Sequence, residues 1–256
     1  VAYRKRFSKP LSPLLPLSHL SPYISMPKTD LADLEQTLGV TFLNKDLLQQ
    51  ALVHRSYLNE HPDFRLGHNE RLEFLGDAVL ELVVTEHLYL NFENPEGELT
   101  NWRAALVNAE MLAELCNKLE IEPYLHLSRG ESKDTGSKAR KYILANAFEA
   151  IIGSIYLDHG WDGAKKFIDE RVLSELDRVL KNQLYIDPKS RFQEAAQEHE
   201  GVTPSYKVLS ETGPDHAKEF IVGVFIGKEQ VATGSGMSKQ EAQVAAAQAG
   251  IEKKGW

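Results

Sequence analysis

His68-Asn69-Glu70-Arg71-Leu72-Glu73-Phe74-Leu75-Gly76-Asp77 is the stretch on which the reading of this chain turns. Wound as a helix, it places Glu70, Glu73 and Asp77 at i, i+3 and i+7, so three carboxylates share one face while Leu72, Leu75 and Val79 point elsewhere. Like charges at helical spacing repel by about 0.2–0.5 kcal/mol per pair. Something has to compensate: a basic partner, for which Arg71 and Lys45 are the candidates, or a bound divalent cation. Plain solvation of an acidic surface is the third account.

Seventy residues on, Ile143-Leu144-Ala145-Asn146-Ala147-Phe148-Glu149-Ala150-Ile151-Ile152-Gly153 tips the balance. Asn146 and Glu149, at i and i+3, are the only polar residues of an otherwise apolar helix. A helix hydrophobic nearly all round is buried, and a carboxylate there is costly unless it is paired or binds metal. Either Glu149 meets Arg140 or Lys141 in a buried ion pair, or it joins the acidic helix around a cation.

Outward from these two segments, apolar residues recur at three- and four-residue spacings from Leu31 to about Leu180, which predicts an all-α domain. Breaks are expected at His61–Gly67, Asn94–Gly97 and Gly130–Lys138, where Gly, Pro and charged residues gather. Residues 181–187 lose the spacing and lead into Asp187-Pro188, a linker signal. Beyond it lies a smaller α+β unit over 188–256: a helix from Ser190 to Glu200, strands at Ser205–Glu211, Glu219–Ile226 and Glu229–Gly234, and an alanine-rich helix over Ser238–Lys254. The order is α-β-β-β-α.

Asn69–Asp77, with Ala51-Leu52-Val53-His54-Arg55-Ser56 upstream and Arg103-Ala104-Ala105-Leu106-Val107-Asn108 and Gly130-Glu131 downstream, resembles the ribonuclease III family. The similarity runs from about Leu31 to the C-terminus. It implies a helical catalytic domain of the ribonuclease III endonuclease fold, followed by a double-stranded RNA-binding domain. It also implies Mg²⁺-dependent hydrolysis of double-stranded RNA, with Mn²⁺ as a substitute, in work such as ribosomal and messenger RNA processing. By the same resemblance Glu73, Asp77, Asn146 and Glu149 occupy the metal positions, and Asp77 and Glu149 are the catalytic pair. Glu70 and Glu96 are accessory acids, and Phe74 lies at the seam of a homodimer whose two sites cut opposite strands to leave short 3′ overhangs. Two ions about 4 Å apart would activate water and neutralise the leaving oxygen.

The family commonly has Asp where this chain has Asn146. An amide oxygen can bind Mg²⁺ but brings no charge and accepts no proton from water. A working enzyme tolerant of Asn and a catalytically silent duplex-binding protein on a nuclease scaffold are both open at this point. In the C-terminal unit, Ser190, Gln193, Glu194 and Gln197 match positions that contact a minor groove and His216 a second one. Ser238 and Lys239 face phosphates at a helix start. Gln240 and Gln243 stand where further basic residues are common, so few phosphates would be neutralised and the salt dependence of binding should be shallow.

Composition fits this picture and narrows it. Among 256 residues there are 29 Lys and Arg against 37 Asp and Glu, a net charge of −8, which argues against non-specific coating of nucleic acid. Cys116 is the single cysteine, so no intrachain disulfide and no thiolate zinc site can form, and a reducing, cytoplasmic setting is expected. His54, His87 and His126 are scattered and read as packing or surface residues. No membrane span and no small-molecule cofactor motif is present. Residues 1–30 read as an N-terminal extension; within it Val1–Pro27 begin basic, lack acid and carry several prolines, and read as a leader before a start at Met26, as an organellar targeting segment, or as an RNA-binding arm.

Overall fold

A computed structural model describes residues 30–213 and 218–256; residues 1–29 of the N-terminal extension and His216 lie outside them. The helical part begins with α1 (Leu31–Leu38), α2 (Lys45–Ala51) and α3 (Arg55–Glu60), and continues through α4 (Glu70–Asn91), α5 (Glu96–Val107) and α6 (Ala109–Lys118). It closes with α7 (Arg129–Lys133), α8 (Lys138–Arg171) and α9 (Leu176–Lys181). The starts follow local chemistry: Asp30, Asn44, Asn108 and Ser137 each accept a backbone N–H of the helix they cap.

One buried cluster unites all of these helices but α3 and α7, from Leu34 on α1 through Leu80 and Val83 on α4 to Phe148, Ile151 and Ile152 on α8. α8 turns at Gly160, whose φ of 70° and ψ of −168° only a residue without Cβ adopts readily. Cys116 is fully buried and burial pushes its thiol pKa up, which makes it an inert packing group. Two of the expected breaks are shorter than predicted. α5 starts at Glu96 and α7 fills Arg129–Lys133, in the second case because Ser128 caps the turn by accepting from the Glu131 N–H.

The C-terminal part runs α10 (Pro188–Glu200), β1 (Ser205–Thr212), β2 (Glu219–Ile226), β3 (Glu229–Gly236) and α11 (Lys239–Lys254). α10 begins two residues before the predicted start, because Asp187 caps it and Pro188 supplies the fixed φ of a first helical position. The sheet is antiparallel in the order β1-β2-β3, with Val222 opposite Val208 on one side and Gly234 on the other. Phe220, Val222, Val224 and Ile226 alternate inward along β2 and pack with Phe192, Ala196, Ala242, Ala246 and Ile251 of the two helices. Among the described residues no helix is long and apolar enough to cross a membrane.

Candidate active site

α4 and α8 cross deep in the helical core, and their backbones touch there. A Cβ built on Gly76 would stand 1.8 Å from the carbonyl oxygen of Glu149, and one on Gly153 would stand 2.2 Å from that of Leu72. This crossing brings the two sequence segments together. Glu73 and Asp77 leave α4 on either side of Gly76, and Glu149 and Asn146 leave α8 one and two turns before Gly153.

These groups are electrostatically coupled. Burial first, then the charges of Asp77 and Glu73, push the Glu149 carboxyl up to about 8. Glu73 is raised by burial, then by Glu70 and Asp77, while a hydrogen bond from the Asn146 amide works in the opposite direction. Asn146 is therefore built into the cluster through Glu73, where an Asp would add a fourth repelling charge.

Of the basic partners weighed from sequence, Arg71 is exposed on α4 and the other three are engaged elsewhere. Arg140 pairs with Glu122 at 2.6 Å, Lys141 with Glu110 at 2.9 Å, and Lys45 with Glu35. Among the described residues no Lys or Arg is ion-paired to Glu73, Asp77 or Glu149. Glu70, at the start of α4, meets Arg55 at 3.4 Å, a partner that sequence reasoning missed because it lies fifteen residues upstream on α3. Asn69 is buried: its side chain donates to the Ala51 carbonyl at 3.2 Å and its backbone N–H to Val53, so the entry of α4 is pinned to α2 and the loop after it.

A donor set of three carboxylates and one amide oxygen, short of positive charge and partly desolvated, fits a hard divalent cation. Among the described residues no three Asp, Glu, His or Cys side chains stand close enough together to hold a metal ion as the chain is folded here. The four residues share a neighbourhood.

Glu96 is not part of that neighbourhood. It starts α5, accepts from Thr100 Oγ1 at 3.0 Å, and lines a 640 Å³ groove with Leu88, Tyr89 and Arg103 at the other end of α4. Along the helix Leu88 lies about 16 Å beyond Asp77. Phe74 is 80% exposed, and Leu82 and Tyr89 are exposed further along the same helix.

In the C-terminal part, Ser190, Gln193, Glu194 and Gln197 are all exposed on α10, the last three together with Glu198 lining one shallow depression. Ser238 caps α11 by accepting the Glu241 N–H at 3.1 Å, and Glu241 accepts in return from Met237 N–H at 3.0 Å. Exposed Lys239 holds its ammonium over the Phe220 ring, 5.7 Å from the centroid. Glu241 also reaches the exposed Lys138 of the helical part at 2.8 Å, with its own side chain partly in solvent.

The fold and the site define a two-part nucleic-acid enzyme of helical nuclease plus duplex-RNA-binding type, and comparison with known proteins agrees. Residues 44–176 match the family model described as Ribonuclease-III-like, and residues 188–254 match the double-stranded RNA binding motif. Ribonuclease 3 of Oceanobacillus iheyensis is 42% identical over 224 residues, covering 87% of this chain and 97% of the relative. Ribonuclease 3 of Chloroflexus aggregans is 45% identical over 224 residues, with 86% and 96% covered. The nuclease domain of ribonuclease III from Campylobacter jejuni superposes with a TM-score of 0.50 at 39% identity, over 57% of this chain and 97% of that domain. The chain belongs to the ribonuclease III family.

Proposed function

We propose that this chain is a Mg²⁺-dependent endoribonuclease that hydrolyses the backbone of double-stranded RNA, in cytoplasmic tasks such as maturation of ribosomal RNA precursors. The carrying observation is Glu149: a part-buried carboxyl raised to about 8, beside two more carboxylates and, among the described residues, with no Lys or Arg ion-paired to it. Such a group is stable as a neutral acid or as a ligand to a cation, and the cluster it joins favours the second.

In this reading Glu73, Asp77, Asn146 and Glu149 hold the ion, with Asp77 and Glu149 nearest the chemistry. A divalent ion, when bound, polarises a phosphate oxygen and lowers the pKa of a coordinated water. Glu149 gives up its proton as the site fills, Asn146 steadies Glu73, and Glu70, tethered to Arg55, adds negative field at the mouth. Residues 31–180 are the working catalytic domain and 188–256 the binding domain. Ser190, Gln193, Glu194 and Gln197 follow a minor groove, and Ser238 and Lys239 meet phosphates.

The working unit is a homodimer. Exposed Phe74, Leu82 and Tyr89 along α4 supply an apolar seam, and the Campylobacter nuclease domain is itself described as having a region involved in dimer formation. Glu96, remote from the cluster of its own subunit, belongs to that seam. A silent duplex binder has only Asn146 to support it, and Asn146 is integrated with Glu73.

The test is cleavage of long duplex RNA against Mg²⁺ concentration for the parent and Glu149→Gln. Loss of cleavage with duplex binding retained is expected, and a variant that cuts as fast as the parent removes the site assigned here.

A further inference from the structure

The crossing of α4 and α8 is reciprocal. Leu72 lies four residues before Gly76 and Glu149 four before Gly153, so each glycine rests on the carbonyl one turn ahead of the other glycine. Signature-based reading singles out the acids but passes over Gly153, which ends the second motif without any chemistry of its own. Like those of Gly76, its surroundings contain nothing able to yield. A Cβ there would meet the Leu72 carbonyl oxygen at 2.2 Å, the Leu72 carbonyl carbon at 3.0 Å and the Gly76 nitrogen at 3.1 Å, all of them backbone atoms. By contrast, a Cβ on Gly163, further along α8, would meet only side-chain atoms of His159 and Ile155.

We propose that Gly153 is a positioning residue for the cation site: it sets the separation between the acids of α4 and those of α8. This rests on the reading of Glu73, Asp77, Asn146 and Glu149 as the residues that hold the ion. With backbone on both sides, a methyl at position 153 is accommodated only if one helix moves as a unit. Restoring ordinary van der Waals contact, at 3.4 Å or more, requires a displacement of about 1 Å. Glu149 sits one turn from the pivot and Glu73 and Asp77 flank its counterpart, so that displacement passes undiminished to the carboxylates. Mg²⁺ demands near-ideal octahedral geometry, and a misplacement of about 1 Å is of the size that costs about 100-fold in rate.

The experiment uses the full chain and compares the parent with Gly153→Ala, Ile168→Val and Glu149→Gln. Ile168 is fully buried on α8 beyond the Gly160 turn, so its truncation loosens packing without touching the crossing. Mn²⁺ binding to RNA-free protein is read by electron paramagnetic resonance, cleavage is titrated with Mg²⁺ and with Mn²⁺, and folding is followed by thermal unfolding. Gly153→Ala is expected to unfold cooperatively, to bind Mn²⁺ at least about 10-fold more weakly, and to lose more Mg²⁺-supported than Mn²⁺-supported cleavage. Ile168→Val should shift the unfolding temperature alone.

Unchanged Mn²⁺ affinity in Gly153→Ala overturns the proposal, and so does an equal loss in Ile168→Val. If Gly153→Ala fails to fold in buffer, the measurements are repeated in trimethylamine N-oxide, which favours compact states. Failure to fold there makes Gly153 a folding residue and likewise overturns its positioning role. Glu149→Gln separates the levels: parent-like Mn²⁺ binding and cleavage in that variant bring down the site itself, whereas loss in Glu149→Gln with none in Gly153→Ala brings down only the inference about the glycine.

Discussion

The two halves of this molecule solve opposite electrostatic problems. In the helical half, like charges are gathered and partly buried where two helices touch, leaving Glu149 raised to about 8. In the C-terminal half the residues assigned to RNA are exposed, on one face of α10 and at the capped start of α11, and the core beneath them is apolar. The first arrangement is unfavourable until a cation arrives; the second is stable alone and awaits a polyanion. Catalytic power and duplex affinity should therefore come apart under mutation.

The largest effect belongs to the buried carboxylate. Glu149→Gln removes the charge but keeps the shape, so cleavage of long duplex RNA should fall by more than about 100-fold while binding in the absence of cleavage changes little. A parallel loss of binding, measured by gel retardation in Ca²⁺, would mean that the halves are not separable in this way.

How much of this was legible in the sequence depended on the kind of contact. The spacing of Glu70, Glu73 and Asp77 gave their common face, because helical periodicity is local. The boundaries of β2 and the cap at Ser238 were equally readable, from alternation and from a serine before an apolar run. The choice between a buried ion pair and an acidic cluster at Glu149 was not readable. It turns on Arg140 reaching Glu122 and Lys141 reaching Glu110, contacts between elements far apart in the chain. Arg55 beside Glu70 escaped for the same reason, and so did the separation of Glu96 from the cluster. Asn146, whose amide lowers the Glu73 carboxyl against the burial and charges that raise it, departs from the common motif without adding a further negative charge to the cluster.

Restoring the carboxylate at that position sharpens the comparison. Asn146→Asp adds a negative charge at the site and removes the amide that steadies Glu73, so two opposite changes are expected. Half-maximal cleavage should be reached at several-fold lower Mg²⁺, because ligand charge raises cation affinity. Metal-free protein, measured in chelator by thermal unfolding, should become less stable at pH 8. A variant that gains in both would show that repulsion in the empty cluster is negligible.

The same repulsion predicts a pH signature confined to the helical half. Because the folded-state pKa of Glu149 lies above its ordinary 4.5, the stability linked to it is fully present below about 4.5 and is lost as pH rises through about 8. In chelator the unfolding temperature should fall over that window, by about 2–4 °C for each kcal/mol lost. Glu149→Gln should flatten the slope, and saturating Mg²⁺ should reverse it by binding the ionised form. Far-ultraviolet melts at matched ionic strength from pH 5 to 8.5 provide the check.

The smallest effect lies in the other half and concerns Lys239. As the first residue of α11 it places a positive charge beside the positive end of the helix dipole, a mildly unfavourable position offset in part by the Phe220 ring beneath its ammonium. Lys239→Ala should thus leave folding within about 0.5 kcal/mol of the parent, as surface substitutions usually do. If the lysine neutralises a phosphate, duplex affinity should fall by a similar factor for every RNA sequence tested, and the slope of log K against log salt should become shallower by about 1. Cleavage at saturating RNA should be unaffected, since the carboxylate cluster is untouched. Fluorescence-anisotropy titrations at several salt concentrations measure the slope directly. An unchanged slope would place the phosphate contacts away from the start of α11, leaving the exposed face of α10 as the principal RNA contact of this half.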